Sequence, residues 1–167
     1  YCALVRHYGR RVRTRSVADV IGDIRYSLKF FESGPFPRLL RGLWLTDDNF
    51  FAEREWAMDV LQAIIESGIR TNFTVQARYE VGFDDEMLEL LKKAGFFEIA
   101  MGIEFIDDSD FRAYHKKSPV EEVRRSIRNI QRHGLSVRGL FILGAENNRR
   151  GIGDQLADFV IENDIKG

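Results

Sequence analysis

Short apolar runs alternate with amphipathic stretches along the whole chain, and this alternation limits the possible folds more than any other feature. Apolar runs rich in β-branched and aromatic residues predict strands at 39–46, 71–77, 97–103 and 137–143. Apolar residues at helical spacing predict helices at 16–33, 53–67, 84–95, 119–132 and 153–163. Strands that alternate with helices are typical of parallel strands joined by right-handed helical crossovers.

The sequence therefore predicts an α/β fold with about four or five parallel strands and flanking helices. A fifth strand would begin near Ile165. The apolar character of the strands predicts burial on both faces of the sheet, and we place Trp44 and Trp56 in the core. Doubly wound sheets and barrels share this pattern, so both architectures stay open at this level.

Composition and net charge limit the kinds of molecule that the protein is expected to bind. The 167 residues are enough for one domain with a sizeable core, and the net charge of −1 does not favour a nucleic acid or an anionic membrane. No apolar run approaches the roughly 18 residues that a membrane span requires. Cys2 is the only cysteine, which is typical of a reducing compartment. We predict a cytoplasmic protein that acts on a small molecule.

Polar residues follow each predicted strand, where a parallel α/β fold places its binding site. The residues that we select at these strand ends are Asp47, Asp48, Asn49, Gln76, Arg78 and Glu104. Carboxylates accept hydrogen bonds from an ammonium group or a ribose hydroxyl, and arginine pairs with a carboxylate in a bidentate manner. The pattern predicts a rim that binds a zwitterionic or polyhydroxyl ligand.

Each of these groups also has a structural interpretation. Asn49 would cap the following helix in a simple strand-to-helix turn. Arg78 would form a surface ion pair, and Glu104 would cap the turn at 107–109. Local sequence leaves these alternatives open.

Several short segments, in order along the chain, resemble the radical S-adenosylmethionine (SAM) superfamily, especially its branch that often carries a cobalamin-binding domain upstream. The matching segments are Tyr1-Cys2, Asp47-Asp48-Asn49-Phe50, Gln76-Ala77-Arg78, the helix end with Leu88, Leu91, Lys92, Ala94 and Gly95, Gly102-Ile103-Glu104, Lys116-Lys117 and Leu140-Phe141-Ile142-Leu143-Gly144. The chain departs from the family pattern at Phe105, where many relatives have serine, and at Asn147, where the family has glutamate.

The resemblance implies a partial (β/α) TIM-like barrel with a 4Fe–4S cluster and SAM as cofactors. Cys2 would be the last of three cluster ligands, with the other two and the first strand upstream of Tyr1. The cluster would donate one electron to cleave SAM into methionine and a 5′-deoxyadenosyl radical, or it would support methyl transfer. Cobalamin is a further candidate cofactor of the parent protein. The resemblance assigns no catalytic residue.

The resemblance also implies roles for the residues at the strand ends. Asp47 and Asp48, together with the neighbouring Asn49, would face the methionyl amino group of SAM. Arg78, beside Gln76, would reach the methionyl carboxylate. A further hydrogen bond would join Glu104 to a ribose hydroxyl or to the amino group. The adenine would lie along Ile142 and Gly144.

We therefore expect residues 1–167 to form a single, incomplete core-barrel domain of a radical SAM oxidoreductase or methyltransferase, inactive when isolated. Its outer strands, 39–46 and 137–143, would leave two sheet edges open, so that the fragment would self-associate through an edge or residues 1–14 would fold over one. One alternative is a non-redox (β/α) barrel that binds a phosphorylated or amino-acid-like ligand, with Gly151-Ile152-Gly153 as a weak phosphate loop. A non-catalytic scaffold is the other.

Overall fold

The computed structural model describes residues 6–7, 9, 11–34, 42–114, 120–145, 148 and 150–166. Strands and helices alternate through these residues, as the sequence predicts. The elements are α1 (Val17–Ser33), β1 (Gly42–Leu45), α2 (Arg54–Glu66), β2 (Asn72–Ala77), a 3₁₀ helix (Tyr79–Phe83), α3 (Asp85–Ala94), β3 (Phe96–Glu104), α4 (Asp108–Ala113), α5 (Val120–Arg132), β4 (Ser136–Phe141) and α6 (Ile152–Glu162).

Local sequence signals fix the ends of two helices. The Ser16 hydroxyl accepts a hydrogen bond from the Asp19 amide at 3.1 Å and caps α1, and the Asp84 carboxylate caps α3 in the same way. Helix α3 ends at Gly95, whose φ of +95° is a left-handed conformation. A side chain at Gly95 would also lie 2.9 Å from the Thr71 carbonyl oxygen. Only glycine suits both requirements at this position.

The four strands form one parallel sheet in the order β1-β2-β3-β4. Strand order equals chain order, so each helical crossover returns the chain to the next position in the sheet. This arrangement confirms the predicted parallel α/β architecture. Residues 39–41 of the first predicted strand lie outside the described residues.

One face of the sheet packs against the helices and forms the core. Leu43, Val75, Ile99 and Val137 lie on this face, where β2, β3 and β4 contribute fully buried side chains. The helices contribute the opposing layer, in which the fully buried residues include Val60, Leu61, Ile64, Leu88, Leu91, Ile127 and Ile130. Burying large aliphatic side chains in this way is the main source of stability in such a layer.

The opposite face of the sheet, which we call the open face, carries a different set of residues. They are Trp44, Thr74, Gln76, Glu98, Ala100, Gly102, Arg138 and Leu140, which lie side by side in the strand register. The predicted core position of Trp44 is wrong, because Trp44 lies on the open face with 47% of its surface exposed. The predicted burial on both faces is found at Thr74, Glu98 and Ala100 in the middle of the sheet, but not at Leu140 on the outer strand β4. Trp56 is half-buried and packs on Phe50.

The outer edges of the sheet are β1 and β4, and the β4 edge is partly paired. Lys166 forms a parallel bridge with Arg138, in which the Lys166 amide donates to the Val137 carbonyl at 2.8 Å. The predicted start of a fifth strand near Ile165 agrees with this contact. Among the described residues, β1 pairs only with β2.

Two elements were not predicted from the sequence. Helix α4 and the 3₁₀ helix are only 6 and 5 residues long, too short for a clear helical pattern. Both follow the carboxyl end of a strand. They therefore shape the rim at which the candidate site lies.

Candidate functional site

The loop after β1 is held in place by a buried aromatic residue. Phe50 is 2% exposed, and its amide donates to the Gln76 carbonyl at 3.2 Å, which ties this loop to the end of β2. Asp47 and Asp48 are exposed just before this anchor, and Asn49 is half-buried. The three predicted residues therefore lie together at the carboxyl end of the sheet.

Asn49 does not cap the following helix. The cap position of α2 is Glu53, which makes no side-chain capping hydrogen bond, and the Asn49 carbonyl accepts from the Ala52 amide at 3.1 Å. The alternative prediction that Asn49 caps this helix is therefore wrong. Its side chain remains available to a ligand at the rim.

Gln76 and Arg78 follow each other at the end of β2 but differ in surroundings. Gln76 is half-buried on the open face beside Ala100, which is fully buried. Arg78 is exposed, and its Nη2 donates to Glu80 Oε1 at 2.5 Å. The alternative of a surface ion pair therefore describes Arg78 as it stands in this structure. Such exposed pairs are weak enough for a ligand carboxylate to replace Glu80.

Glu104 ends β3 in an unusual backbone conformation. Its φ of +70° is left-handed, a region that non-glycine residues rarely occupy and that is often found at functional sites. Gly102 has no side chain, and a Cβ placed there would lie 3.4 Å from Glu104 Oε1. The Glu104 carboxylate therefore lies in front of Gly102, on the open face. The cap of α4 is Asp107, not Glu104, because Asp107 Oδ1 accepts from the Ser109 amide.

The segment after β4 carries Ile142 and Gly144. The Ile142 amide donates to the Glu104 carbonyl at 2.8 Å, which joins the ends of β3 and β4. Ile142 is partly exposed, and Gly144 has a φ of +87° that glycine adopts without strain. An apolar side chain beside backbone without a side chain at Gly144 can pack against a flat heterocyclic ring at this rim.

The structure adds two residues that the sequence analysis did not select. Asn148 accepts hydrogen bonds from the amides of Gly144 and Ala145, and it donates to the buried carboxylate of Asp110. Glycine and asparagine close together after a strand are a turn signal that was present in the sequence. Asp110 gave no signal, because α4 was not predicted.

Three cavities open along the rim, and together they contain most of the predicted residues. A cavity of about 420 Å³ is lined by Trp44, Asp47 and Asn49, among others. Asn49 also lines a second cleft, of about 310 Å³, together with Arg78. A much smaller cavity contains Glu104 and Ile142. The structure thus brings Asp47, Asn49 and Arg78 into neighbouring clefts, with Glu104 and Ile142 further along the rim.

Two groups of ion pairs compensate charges on the open face and beside the second cleft. On the open face, Glu98 is buried and accepts two hydrogen bonds from Arg138, at 3.0 and 3.3 Å. Beside the second cleft, Arg54 binds both Asp84 and Glu86 at 2.6 Å. The hydrogen bond from Arg54 lowers the pKa of Asp84, and the two carboxylates raise the pKa of Arg54.

Cys2, the predicted cluster ligand, lies outside the described residues. Within the described ranges, no group of three or more histidine, cysteine, aspartate or glutamate side chains is placed to hold a metal ion. The part of the chain that the structure describes contains no helix long and apolar enough to span a membrane.

The fold is that of a partial (β/α) barrel, and the predicted residues lie at the carboxyl ends of its strands. Residues 1–152 match the family model of the radical SAM superfamily. The chain belongs to the radical SAM superfamily. This membership confirms the predicted family, and with it the 4Fe–4S cluster and SAM as the cofactors that the family uses.

Curated relatives include methyl-transferring enzymes. The chain is 29% identical to the hopanoid C-2 methylase of Rhodopseudomonas palustris over 99% of its own length and 31% of that protein. It is 20% identical to the bacteriochlorophyllide d C-12(1)-methyltransferase of Chlorobaculum tepidum, over 99% of this chain and 35% of that enzyme. The chain therefore spans about a third of the length of these relatives.

Solved structures support the fold. The radical SAM methyltransferase TsrM from Kitasatospora setae, with cobalamin and a [4Fe-4S] cluster bound, superposes with a TM-score of 0.70 at 16% identity, over 91% of this chain and 30% of that one. OxsB, a cobalamin-dependent SAM radical enzyme with aqua-cobalamin and SAM bound, gives 0.73 at 16% identity, over 89% and 22%. At this identity the likeness is one of fold, and it confirms the predicted partial barrel.

Proposed function

We propose that residues 1–167 form one incomplete core-barrel domain that binds SAM at the carboxyl ends of β1 to β4, within a longer radical SAM enzyme. Cys2 is one of three cysteine ligands of the 4Fe–4S cluster in this proposal. When bound beside the cluster, SAM supplies either a 5′-deoxyadenosyl radical or a methyl group. Family membership over residues 1–152 argues against a non-redox barrel and against a scaffold without cofactor.

The observation that carries the SAM assignment is the conformation of Glu104. A charged residue is held in a left-handed conformation so that its carboxylate lies over Gly102 on the open face. A strained conformation of this kind costs about 1–2 kcal/mol, and such conformations cluster at active sites and ligand-binding positions. In this proposal the carboxylate accepts a hydrogen bond from a ribose hydroxyl or from the methionyl amino group.

The other predicted residues complete the SAM site in this proposal. Asp47, Asp48 and Asn49 accept hydrogen bonds from the methionyl ammonium group, since the Phe50 anchor holds their loop at the rim. Arg78 exchanges Glu80 for the methionyl carboxylate, with Gln76 beside it. The adenine lies along Ile142 and Gly144, where apolar surface and open backbone adjoin.

We further propose that the reaction is the transfer of a methyl group to a small molecule. The support is that several curated relatives are named as methylases or methyltransferases. Cobalamin becomes a candidate cofactor because the two structural neighbours contain it. A cytoplasmic location and self-association through the β1 edge remain predictions.

Binding of SAM to the full-length protein, reconstituted without oxygen, tests the site. Glu104→Gln should raise the SAM dissociation constant roughly 10- to 100-fold, since a hydrogen bond to a charged group is worth about 1.5–3 kcal/mol. Glu89→Gln is the matched control, because Glu89 is exposed on α3 and pairs only with Lys93. Equal affinity of both variants would exclude Glu104 from the site.

The cluster assignment needs a separate experiment. Cys2→Ala should lose the absorption and electron paramagnetic resonance signals of the 4Fe–4S cluster, because three thiolates are needed to hold it. Cys2→Ser is the conservative comparison, and it should retain at most a labile cluster. A stable, stoichiometric cluster in Cys2→Ala would show that Cys2 is not a ligand.

A further inference from the structure

A buried pair of side chains connects the loops that follow β3 and β4. Asp110 of α4 is 3% exposed, and its Oδ2 accepts a hydrogen bond from Asn148 Nδ2 at 2.9 Å. The two residues are 38 positions apart in the chain. The contact is therefore a tertiary link between two loops of the rim.

The other end of the Asn148 side chain holds the backbone after β4. Asn148 Oδ1 accepts from the Gly144 amide at 2.9 Å and from the Ala145 amide at 3.1 Å. The orientation of this amide group is fixed by chemistry, because a flipped group would place its NH₂ against two N–H donors and its oxygen against a carboxylate. Asp110 and the two backbone amides together fix the orientation of the Asn148 side chain, and Asn148 links the Gly144 turn to Asp110.

Stability alone does not explain a carboxylate at this position. Within the described part of the chain, Asp110 Oδ1 is buried and accepts no hydrogen bond. A buried carboxylate oxygen that accepts no hydrogen bond carries a desolvation cost. Asp110 also lines the small cavity that contains Glu104 and Ile142, so the cost falls beside the residues that we assign to SAM.

We propose that Asn148, oriented by Asp110, is a positioning residue that sets the affinity for SAM by fixing the Gly144 turn. This inference rests on the proposed function, because it takes the segment from Ile142 to Gly144 as the surface for the adenine. Neither side chain contacts the reacting atoms. Their role is to hold one loop in the conformation that the cofactor needs.

An exchange of the two residues tests the pair in the full-length protein. Asn148→Asp places two carboxylates at hydrogen-bond distance, so the link should break through like-charge repulsion. In the double variant Asp110→Asn/Asn148→Asp, the new aspartate still accepts from both backbone amides, and the new asparagine donates to it. The two hydrogen bonds from the backbone amides are then kept, and the bond between the two side chains is restored with its direction reversed.

Two measurements follow the effect. Hydrogen–deuterium exchange of the peptide that covers 141–145 should become at least tenfold faster in Asn148→Asp and return to the original rate in the double variant. The SAM dissociation constant should rise about tenfold and return within about twofold. Asn163→Asp is the control, because Asn163 is a buried asparagine of another region that donates to the Phe159 carbonyl. It should lower the melting temperature without changing either readout.

The outcomes separate the two proposals. Unchanged exchange in Asn148→Asp, or no recovery in the double variant, would overturn the pair as a positioning device. Recovery of exchange without recovery of SAM affinity would overturn its link to the cofactor. Failure of the unaltered, reconstituted protein to bind SAM would overturn the proposed function and this link together, while the exchange data would still decide the structural role.

Discussion

The ion pair between Glu98 and Arg138 gives the sharpest prediction about stability. It lies on the open face, joins β3 to β4, and buries the glutamate side chain to 5% exposure while Arg138 keeps 39%. Arg138→Met removes the cation and leaves a buried carboxylate without compensation. Breaking a fully buried pair costs about 3–5 kcal/mol. Because the arginine is partly exposed and water can reach the site, we expect a loss of about 2–3 kcal/mol.

Equilibrium unfolding in urea, followed by tryptophan fluorescence, measures this loss. Trp44 lies on the same face in the register of Thr74 and Glu98, so it reports directly on this part of the sheet. The double variant Glu98→Leu/Arg138→Met should recover most of the stability, since it removes the buried charge together with its partner.

Arg128→Met is the matched control for this experiment. Arg128 pairs with Glu121 on the surface of α5, where both side chains are largely exposed. Its loss should cost less than about 0.5 kcal/mol. Equal unfolding free energies for Arg138→Met and Arg128→Met, or a double variant no more stable than the single one, would refute the reasoning.

Two further predictions concern packing and pH. Gly82→Ala should destabilise the protein by more than about 2 kcal/mol, because the new Cβ would lie 2.7 Å from the Ser126 Cα. Gly22→Ala, in open space on α1, should stabilise it by about 0.5–1 kcal/mol. Equal melting temperatures for the two variants would contradict this prediction. The hydrogen bond from Arg54 lowers the pKa of Asp84 in the folded protein. The stability that this pair contributes is therefore fully present above about pH 4, the pKa of aspartate in the unfolded chain, and is lost as the pH falls through the lower pKa of Asp84 in the folded protein. Asp84→Asn should therefore destabilise the protein at pH 7 and flatten its acid unfolding curve, and an unchanged curve would count against the pair.

Periodicity predicted the fold well because the layers of this sheet follow from short-range patterns. The βα alternation, the Asp84 cap and the left-handed Gly95 are all visible in the sequence, and the structure has each of them. The same pattern misplaced Trp44. Its apolar side chain predicts a core position. The face of the sheet on which a strand residue lies, however, depends on the strand register and on the side where the helices pack.

The candidate site was less predictable, because its contacts depend on loops. Position after a strand was enough to select Asp47 and Glu104, since the carboxyl ends of parallel strands meet at one rim. It did not reveal that Arg78 binds Glu80, nor that Asp110 reaches Asn148 across 38 positions of the chain. Such pairings depend on side-chain directions in short helices and turns, which have no periodic signal.

The left-handed conformation of Glu104 allows a test that separates function from stability. Two non-glycine residues in the described ranges have a positive φ: Glu104, at +70°, and Asp164, at +45°. Replacing either with glycine should relieve strain worth about 1 kcal/mol, partly offset by the flexibility of glycine in the unfolded chain. We therefore expect a similar small gain, of about 0.5 kcal/mol, in the unfolding free energy of both variants.

The two variants should differ in their affinity for SAM. Glu104→Gly removes the carboxylate over Gly102 and should weaken binding at least tenfold, whereas Asp164→Gly changes a turn whose side chain only pairs with Lys166 on the surface. A residue that lowers stability yet raises affinity is one retained for function. If Glu104→Gly were destabilising and bound SAM normally, Glu104 would be a structural residue. Its left-handed conformation would then no longer support the proposed SAM site.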